Sequence, residues 1–307
     1  MVMLRLLVSA SLVSTVCGQA PQGIIQNIVV TSAASFQVGL PPAGSIGAIF
    51  CTGLQVQGIV TAQVSPLPMS LAGVSVTIGG AAAPLLAVAD DGGYQQINFE
   101  VPQGVVITQN GATIVITQNA NQGTAQTPIS TSPGDFFVLS GGFGAFQHAA
   151  DYSLVTRQNP ARPGEIIVGY LTGLPGTTPA VPIGQPSPQS PLAVVFQINQ
   201  MDNIDFFDLL LNGTPIAANS TSGLDNLFLG LSPGLVGVYQ VNFMVPFSAA
   251  PGNTNIQLQR YTCTAIFGTP CSFGSPVSGT AIGCTSTQFG GQFSSACNSS
   301  PVLLPIQ

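Results

Sequence analysis

His148 is the only histidine in the chain, so any histidine-based acid–base chemistry has to run through it. It lies between Phe146-Gln147 and Ala149-Ala150, in what reads as a strand near a turn at Asp151. A general base needs an orienting partner and a nucleophile, and the neighbouring sequence identifies neither, so the favoured reading is a structural or surface histidine. Gly230-Leu231-Ser232-Pro233-Gly234 has the G-x-S-x-G spacing of a serine hydrolase. In that elbow the residue after the serine donates its backbone N–H to the oxyanion, and Pro233 has none. The segment reads instead as a Ser-Pro-Gly turn. Asp202, Asp205 and Asp208, with Asn203, are the densest acidic group and the one candidate for calcium, a cation that takes clustered oxygens. Strand alternation puts Asp205 on the face opposite the other two, which favours a solvated strand edge whose charge discourages pairing. Asp90, Glu100 and Asp135 offer no defined carboxylate pair, and Asp90-Asp91-Gly92-Gly93 reads as a turn. The expectation is no catalytic residue, no metal and no cofactor.

Charge narrows the field further. Charged residues make up 5% of the chain, where an ordinary globular protein carries about 25%. There is no lysine, the arginines are Arg5, Arg157, Arg162 and Arg260, and the formal charge is −6. Nothing here could neutralise a run of phosphates, so a nucleic-acid partner is excluded. Residues 1–20 have the pattern of an export signal: Arg5, an apolar run from Leu6 to Val16, then the small residues Gly18 and Ala20. Cys17 fits a lipidation signal poorly, with Val16 before it and Ser14 at minus three. No later run approaches the ~18 apolar residues of a membrane helix, so no membrane span is expected in the mature chain. For an exported chain Cys263, Cys271, Cys284 and Cys297 read as two disulfides rather than a zinc site, since no C-x-x-C pair is present. Three pairings are open, of which the two local ones, Cys263 with Cys271 and Cys284 with Cys297, are favoured. Cys51 lies in an apolar run and reads as a buried free thiol.

The elements that carry these residues come from a duplication. Gln96-Ile97-Asn98-Phe99-Glu100-Val101-Pro102 returns as Gln240-Val241-Asn242-Phe243-Met244-Val245-Pro246. Each copy alternates, which predicts a strand with Ile97, Phe99 and Val101 buried and Gln96, Asn98 and Glu100 on the other face, likewise in the second copy, stopped by Pro102 or Pro246. Upstream, Pro42 to Leu54 and Arg162 to Leu174 end in the same Thr-Gly-Leu. Between these landmarks each copy runs a strand into a glycine turn, Val74 to Ile78 before Gly79-Gly80 and Phe207 to Leu211 before Asn212-Gly213, and each closes with a further strand, Thr113 to Thr117 or Thr254 to Gln259. The second copy is longer, mainly through the proline- and serine-rich stretch Pro175 to Pro191, read as an exposed loop. Asn121 to Pro133 reads as a linker. Many short strands with such turns predict an all-β fold of two tandem sandwiches and a short disulfide-containing carboxyl-terminal tail.

The run Pro66-Leu67-Pro68, Leu71 to Gly80, Ala83 to Leu86 and Gln96 to Pro102, with Asn159 to Gly164 and Thr172-Gly173-Leu174, resembles the uncharacterised domain at the carboxyl ends of many exported proteins of Solibacter and other acidobacteria. Each repeat is similar to the IPT/TIG type of immunoglobulin-like domain. The resemblance spans about Ala34 to Arg260 and implies two immunoglobulin-like sandwiches with no known activity; the cysteine-bearing tail is not part of the pattern. The expected organisation is a signal peptide over 1–20, a first sandwich over 21–132, a second over 133–262 and a tail over 263–307. The expected function is a non-catalytic structural or adhesion module, secreted or at the cell surface, whose partner is an unknown cell-surface protein or polysaccharide. A carbohydrate- or ligand-binding module is the alternative, disfavoured by the absence of Trp, and a secreted hydrolase comes third.

Overall fold

The computed structural model describes residues 25–195, 198–200, 203–216, 228–265, 283–289 and 292–307. Among these, every regular element but one 3-10 turn, Ser140–Gly142, is a strand. The all-β expectation is met. The described residues form two compact units: the first takes in those within Met1–Ser130, Ala180–Leu192 and Pro233–Val238, the second those within Thr131–Pro179, Ala193–Ser232 and Tyr239–Gln307.

The first unit contains β1 (Gln26–Ser32), β2 (Ile46–Thr52), β3 (Gly58–Thr61), β4 (Val74–Ile78), β5 (Ala81–Ala82), β6 (Leu85–Asp90), β7 (Gln95–Glu100), β8 (Ile107–Thr108), β9 (Gly111–Gln118) and β10 (Asn121–Thr127). One sheet runs β1-β2-β7-β6-β3 and the other β10-β9-β4-β5. Ile49, Val88 and Ile97 from the first sheet meet Val76, Ile114 and Ile116 from the second in one apolar core, the layered arrangement of a sandwich. Asn121 to Thr127 is thus a strand paired with β9 rather than a linker.

The second unit contains β11 (Asp135–Phe136), β12 (Phe146–His148), β13 (Ile166–Thr172), β14 (Thr177–Thr178), β15 (Val194–Val195), β16 (Ile198–Gln200), β17 (Asn203–Leu211), β18 (Thr214–Pro215), β19 (Phe228–Leu231), β20 (Tyr239–Met244), β21 (Gly252–Ala265), β22 (Gly283–Phe289), β23 (Gln292–Asn298) and β24 (Val302–Ile306). Its sheets run β11-β13-β20-β19-β15-β14 and β16-β17-β21-β23-β22, with β24 also on β21.

The duplication extends to register. Ile46 lies opposite Glu100 and Gly47 opposite Phe99, as Ile166 lies opposite Met244 and Ile167 opposite Phe243. The two glycine turns match as well, Gly79-Gly80 at φ 52° and 85° and Asn212-Gly213 at 49° and 77°, left-handed pairs that a two-residue hairpin requires. Gly53 and Gly173 of the Thr-Gly-Leu corners stand at φ 96° and 91°, where a side chain would be strained.

Two boundaries differ from expectation. Residue 262 is no break: β21 runs through it, and β24 comes back to pair Gly252 with Ile306 and Ile256 with Val302. The end of the chain therefore closes the second unit. Likewise Pro175 to Pro191 is not simply an exposed loop, because Gly184 and Ser187 are buried and Ala180–Leu192 belongs to the first unit. The hairpin β22–β23 sets Cys284 opposite Cys297, and these two form the expected disulfide. Cys271, the side chain of Cys263 and residues 1–24, with the expected signal and Cys17, lie outside the described residues.

Candidate functional site

His148 ends β12, opposite Ile167 on β13, and its side chain is turned inward. The residue is 7% exposed. Nδ1 lies 2.5 Å from Glu165 Oε1 and Nε2 3.2 Å from the Asn159 carbonyl oxygen. A carbonyl only accepts, so Nε2 carries a hydrogen and donates it there. The second Glu165 oxygen accepts the Arg162 N–H at 2.9 Å. The His148–Glu165 contact ties the end of β12 to Asn159 and to the turn that enters β13. Both ring nitrogens are spent on these structural bonds, which leaves none to accept a proton from a nucleophile.

Ser232 Oγ donates to Gln240 Oε1 at 2.9 Å, and the serine is buried at the end of β19. It is not joined to His148, in keeping with the turn reading. Of the acidic group, Asp202 and the side chain of Asp205 lie outside the described residues. Asp208 is buried, and its Oδ1 accepts the Leu209 N–H. It does not sit on a solvated edge: it is buried and lies opposite Gln259 of β21, between the stretches of β17 that pair with β16 and β18. Among the described residues no three His, Cys, Asp or Glu side chains gather into a metal-sized cluster. No helix there is long and apolar enough to cross a membrane.

The repeated motif is where polar side chains do most of the holding. Phe99 and Phe243 are buried as expected. The opposite face of β7 is not solvated, for Gln96, Asn98 and Glu100 are all buried. Gln96 Nε2 donates to Asn98 Oδ1 at 2.7 Å, and Gln240 Nε2 donates to Asn242 Oδ1 at 3.2 Å, so the two copies share this amide ladder. In the second copy Gln240 and Asn242 are half-buried and Met244 is exposed. Pro102 and Pro246 stand two residues past the last strand residue, Glu100 or Met244, in keeping with the expected stop. A neighbouring amide, Gln95, accepts the Leu54 N–H at 2.7 Å and donates to the Leu54 carbonyl at 2.8 Å, clamping the Thr-Gly-Leu corner.

Among the described residues the carboxyls of Glu100, Asp91 and Asp151 and the Cys51 thiol have shifted affinities for protons, as do the Tyr94 and Tyr170 phenols, which burial raises. Burial pushes the Glu100 carboxyl up to about 7, partly opposed by the Gly184 N–H that Oε2 accepts. Burial pushes the Cys51 thiol up to about 12, so the cysteine is an inert, protonated core residue, as expected. The Gly93 and Tyr94 N–H groups hold Asp91 below the usual carboxylate range in the expected turn. The Ser153 N–H and hydroxyl do the same for Asp151.

Two partners escaped the sequence reading. Glu165 stands 17 residues from His148, and Gly184 stands 84 from Glu100; neither spacing has a periodic signal. A third repeated motif could have exposed the first, because Ser32-Ala33-Ala34-Ser35-Phe36 corresponds to His148-Ala149-Ala150-Asp151-Tyr152. Ser32 lies opposite Gly47 as His148 lies opposite Ile167. Phe36 N bonds Ser32 O as Tyr152 N bonds His148 O, and Phe36 and Tyr152 share φ near 58° and 57°.

Fold and site together define a two-unit, all-β protein of sandwich type in which His148, Glu165 and Ser232 are engaged in internal hydrogen bonds. No protein-family model matches the chain, and no curated protein matches it.

Proposed function

We propose that this chain is a non-catalytic extracellular module, structural or adhesive, of a secreted or cell-surface bacterial protein, acting through its surfaces and loops on a cell-surface protein or a polysaccharide. The observation that carries the reading is the fate of His148: its two ring nitrogens are engaged by Glu165 and Asn159, and Ser232 is engaged by Gln240. A cross-strand disulfide, Cys284–Cys297, suits an oxidising compartment. The recurring strand order and register support taking each unit as an immunoglobulin-like domain of the IPT/TIG type, within the acidobacterial family that the motifs resemble.

The test is retention of the purified full chain on a panel of cell envelopes and extracellular polysaccharides, with and without calcium, alongside ester and glycoside hydrolysis assays. The expected outcome is saturable retention on one material, unchanged in Ser232→Ala and with no turnover. Hydrolysis that disappears in Ser232→Ala or His148→Gln would overturn the reading.

A further inference from the structure

Glu100 is the last residue of β7 and is 4% exposed. Its Oε2 accepts the N–H of Gly184, from a segment far along the chain. That segment is held on the first unit at several other points. Leu67 N donates to Gly184 O at 2.8 Å, Ser187 N donates to Leu235 O at 2.9 Å, and Gly234 N donates to Ser187 O at 2.8 Å.

What surrounds the carboxyl matters more than the bond. β2 presents Ile46 opposite it, the Pro233–Val238 segment presents Gly237 against its side chain, and Pro84 accepts its backbone N–H. None of these can ionise. The other described charges of this unit are Asp90 and Asp91, on the turn that joins β6 to the opposite end of β7. The described residues of this unit contain no lysine or arginine. Among the described residues of this unit an ionised Glu100 has one N–H donor and no cation, a poor substitute for water. At the matching register position of the second unit, opposite Ile166, stands Met244, which is exposed. The buried carboxyl and the covering segment occur together in one copy and are both missing from that position in the other.

We propose that Ala180–Leu192 is a strap whose docking on the first unit is gated by protonation of Glu100, firm in acid and loosened toward neutral pH. The carboxyl takes its proton more tightly docked, at about 7, than an ordinary glutamate in water, at 4.5. Docking is then fully favoured below pH 4.5, weakens as pH rises toward 7 and changes no further above it.

Hydrogen exchange of the full chain from pH 4 to 8.5, corrected for intrinsic rates, tests this. The expected result is at least a tenfold fall in protection at Gly184 and Ser187 between pH 4.5 and 7, then a plateau, with β9 amides unchanged. Glu100→Gln is expected to keep the strap protected at every pH. Protection that stays flat in the natural chain, or that falls equally in Glu100→Gln, would overturn the proposal. Should that variant fail to fold, a carbon-13 titration of the Glu100 carboxyl in the natural chain decides: a midpoint near 7 supports the gate, and one in the ordinary glutamate range overturns it.

Discussion

His148 and Glu165 occupy positions that the first unit fills with serines. Val101 N bonds Ser45 O as Val245 N bonds Glu165 O, at 2.8 Å in each case, and Ser32 holds the place of His148. Ser45 and Ser32 are both buried, and Ser32 Oγ accepts the Ala34 N–H. One scaffold thus closes this end with two small hydroxyls and the other with a hydrogen-bonded histidine and glutamate. The difference makes a sharp prediction, because removing one partner of a buried pair strands the other, whereas removing both does not. His148→Ser alone is expected to destabilise the second unit by ~1–3 kcal/mol, moderated by the partial exposure of Glu165. The double variant His148→Ser with Glu165→Ser, which copies the first unit, is expected to cost less than that single change. Denaturant unfolding of these two and of Glu165→Ser alone measures the coupling; strictly additive costs would mean the pair is no tie at all.

At the scale of elements the two copies divide their core volume differently. In the first, a side chain at Gly47 would run into the Phe99 ring, so the glycine is what lets that ring lie across β2. In the second, Ile167 fills the corresponding place, and the glycine moves along β13 to Gly169, beneath the rings of Phe146 and Phe136. Phe146 and Phe243 meet edge-on at 6.2 Å. Close-packed interiors do not absorb an extra methyl freely. Gly47→Ala is therefore expected to cost ~1–3 kcal/mol, seen as a lower midpoint in thermal unfolding, and Phe99→Leu in the same chain is expected to restore part of it; a neutral Gly47→Ala would show that the ring can slide aside. This level was partly open to the sequence. Period-two alternation located β7 and β20, and Asn-Gly and Gly-Gly located the hairpins, since both signals are local. The burial of Gln96, Asn98 and Glu100 was not legible, because alternation separates two faces of a strand without saying that the second face meets water.

Over the whole molecule the duplication was readable and its limits were not. A linker was expected at Asn121 to Pro133 and a tail from Cys263, both on polar, small-residue composition. Yet β10 uses such residues, Asn121–Thr127, as a paired strand. Composition fails there because a strand at the side of a sandwich takes its order from backbone bonds to its neighbour, here β9, and needs few apolar side chains of its own. The segment that β24 provides obeys the same logic with more burial. Leu40 bridges Ile129 in the first unit as Ala161 bridges Ile306 in the second, and Ser130 N bonds Leu40 O as Gln307 N bonds Ala161 O. The second unit is therefore interrupted by the β22–β23 hairpin and completed only by its last residues. Val302, Leu304 and Ile306 are buried, and losing three such side chains from a core costs about 1.5–3 kcal/mol each, comparable to the whole stability of an ordinary domain. Truncation after Ser300 is expected to unfold the second unit while the amides of β4 and β9 in the first keep their protection in hydrogen exchange. Reducing Cys284–Cys297 is expected to leave both units folded, because the disulfide spans a hairpin already paired along its length. If truncation left β13 and β20 protected, β24 would be an appendage and the boundary at 262 would stand.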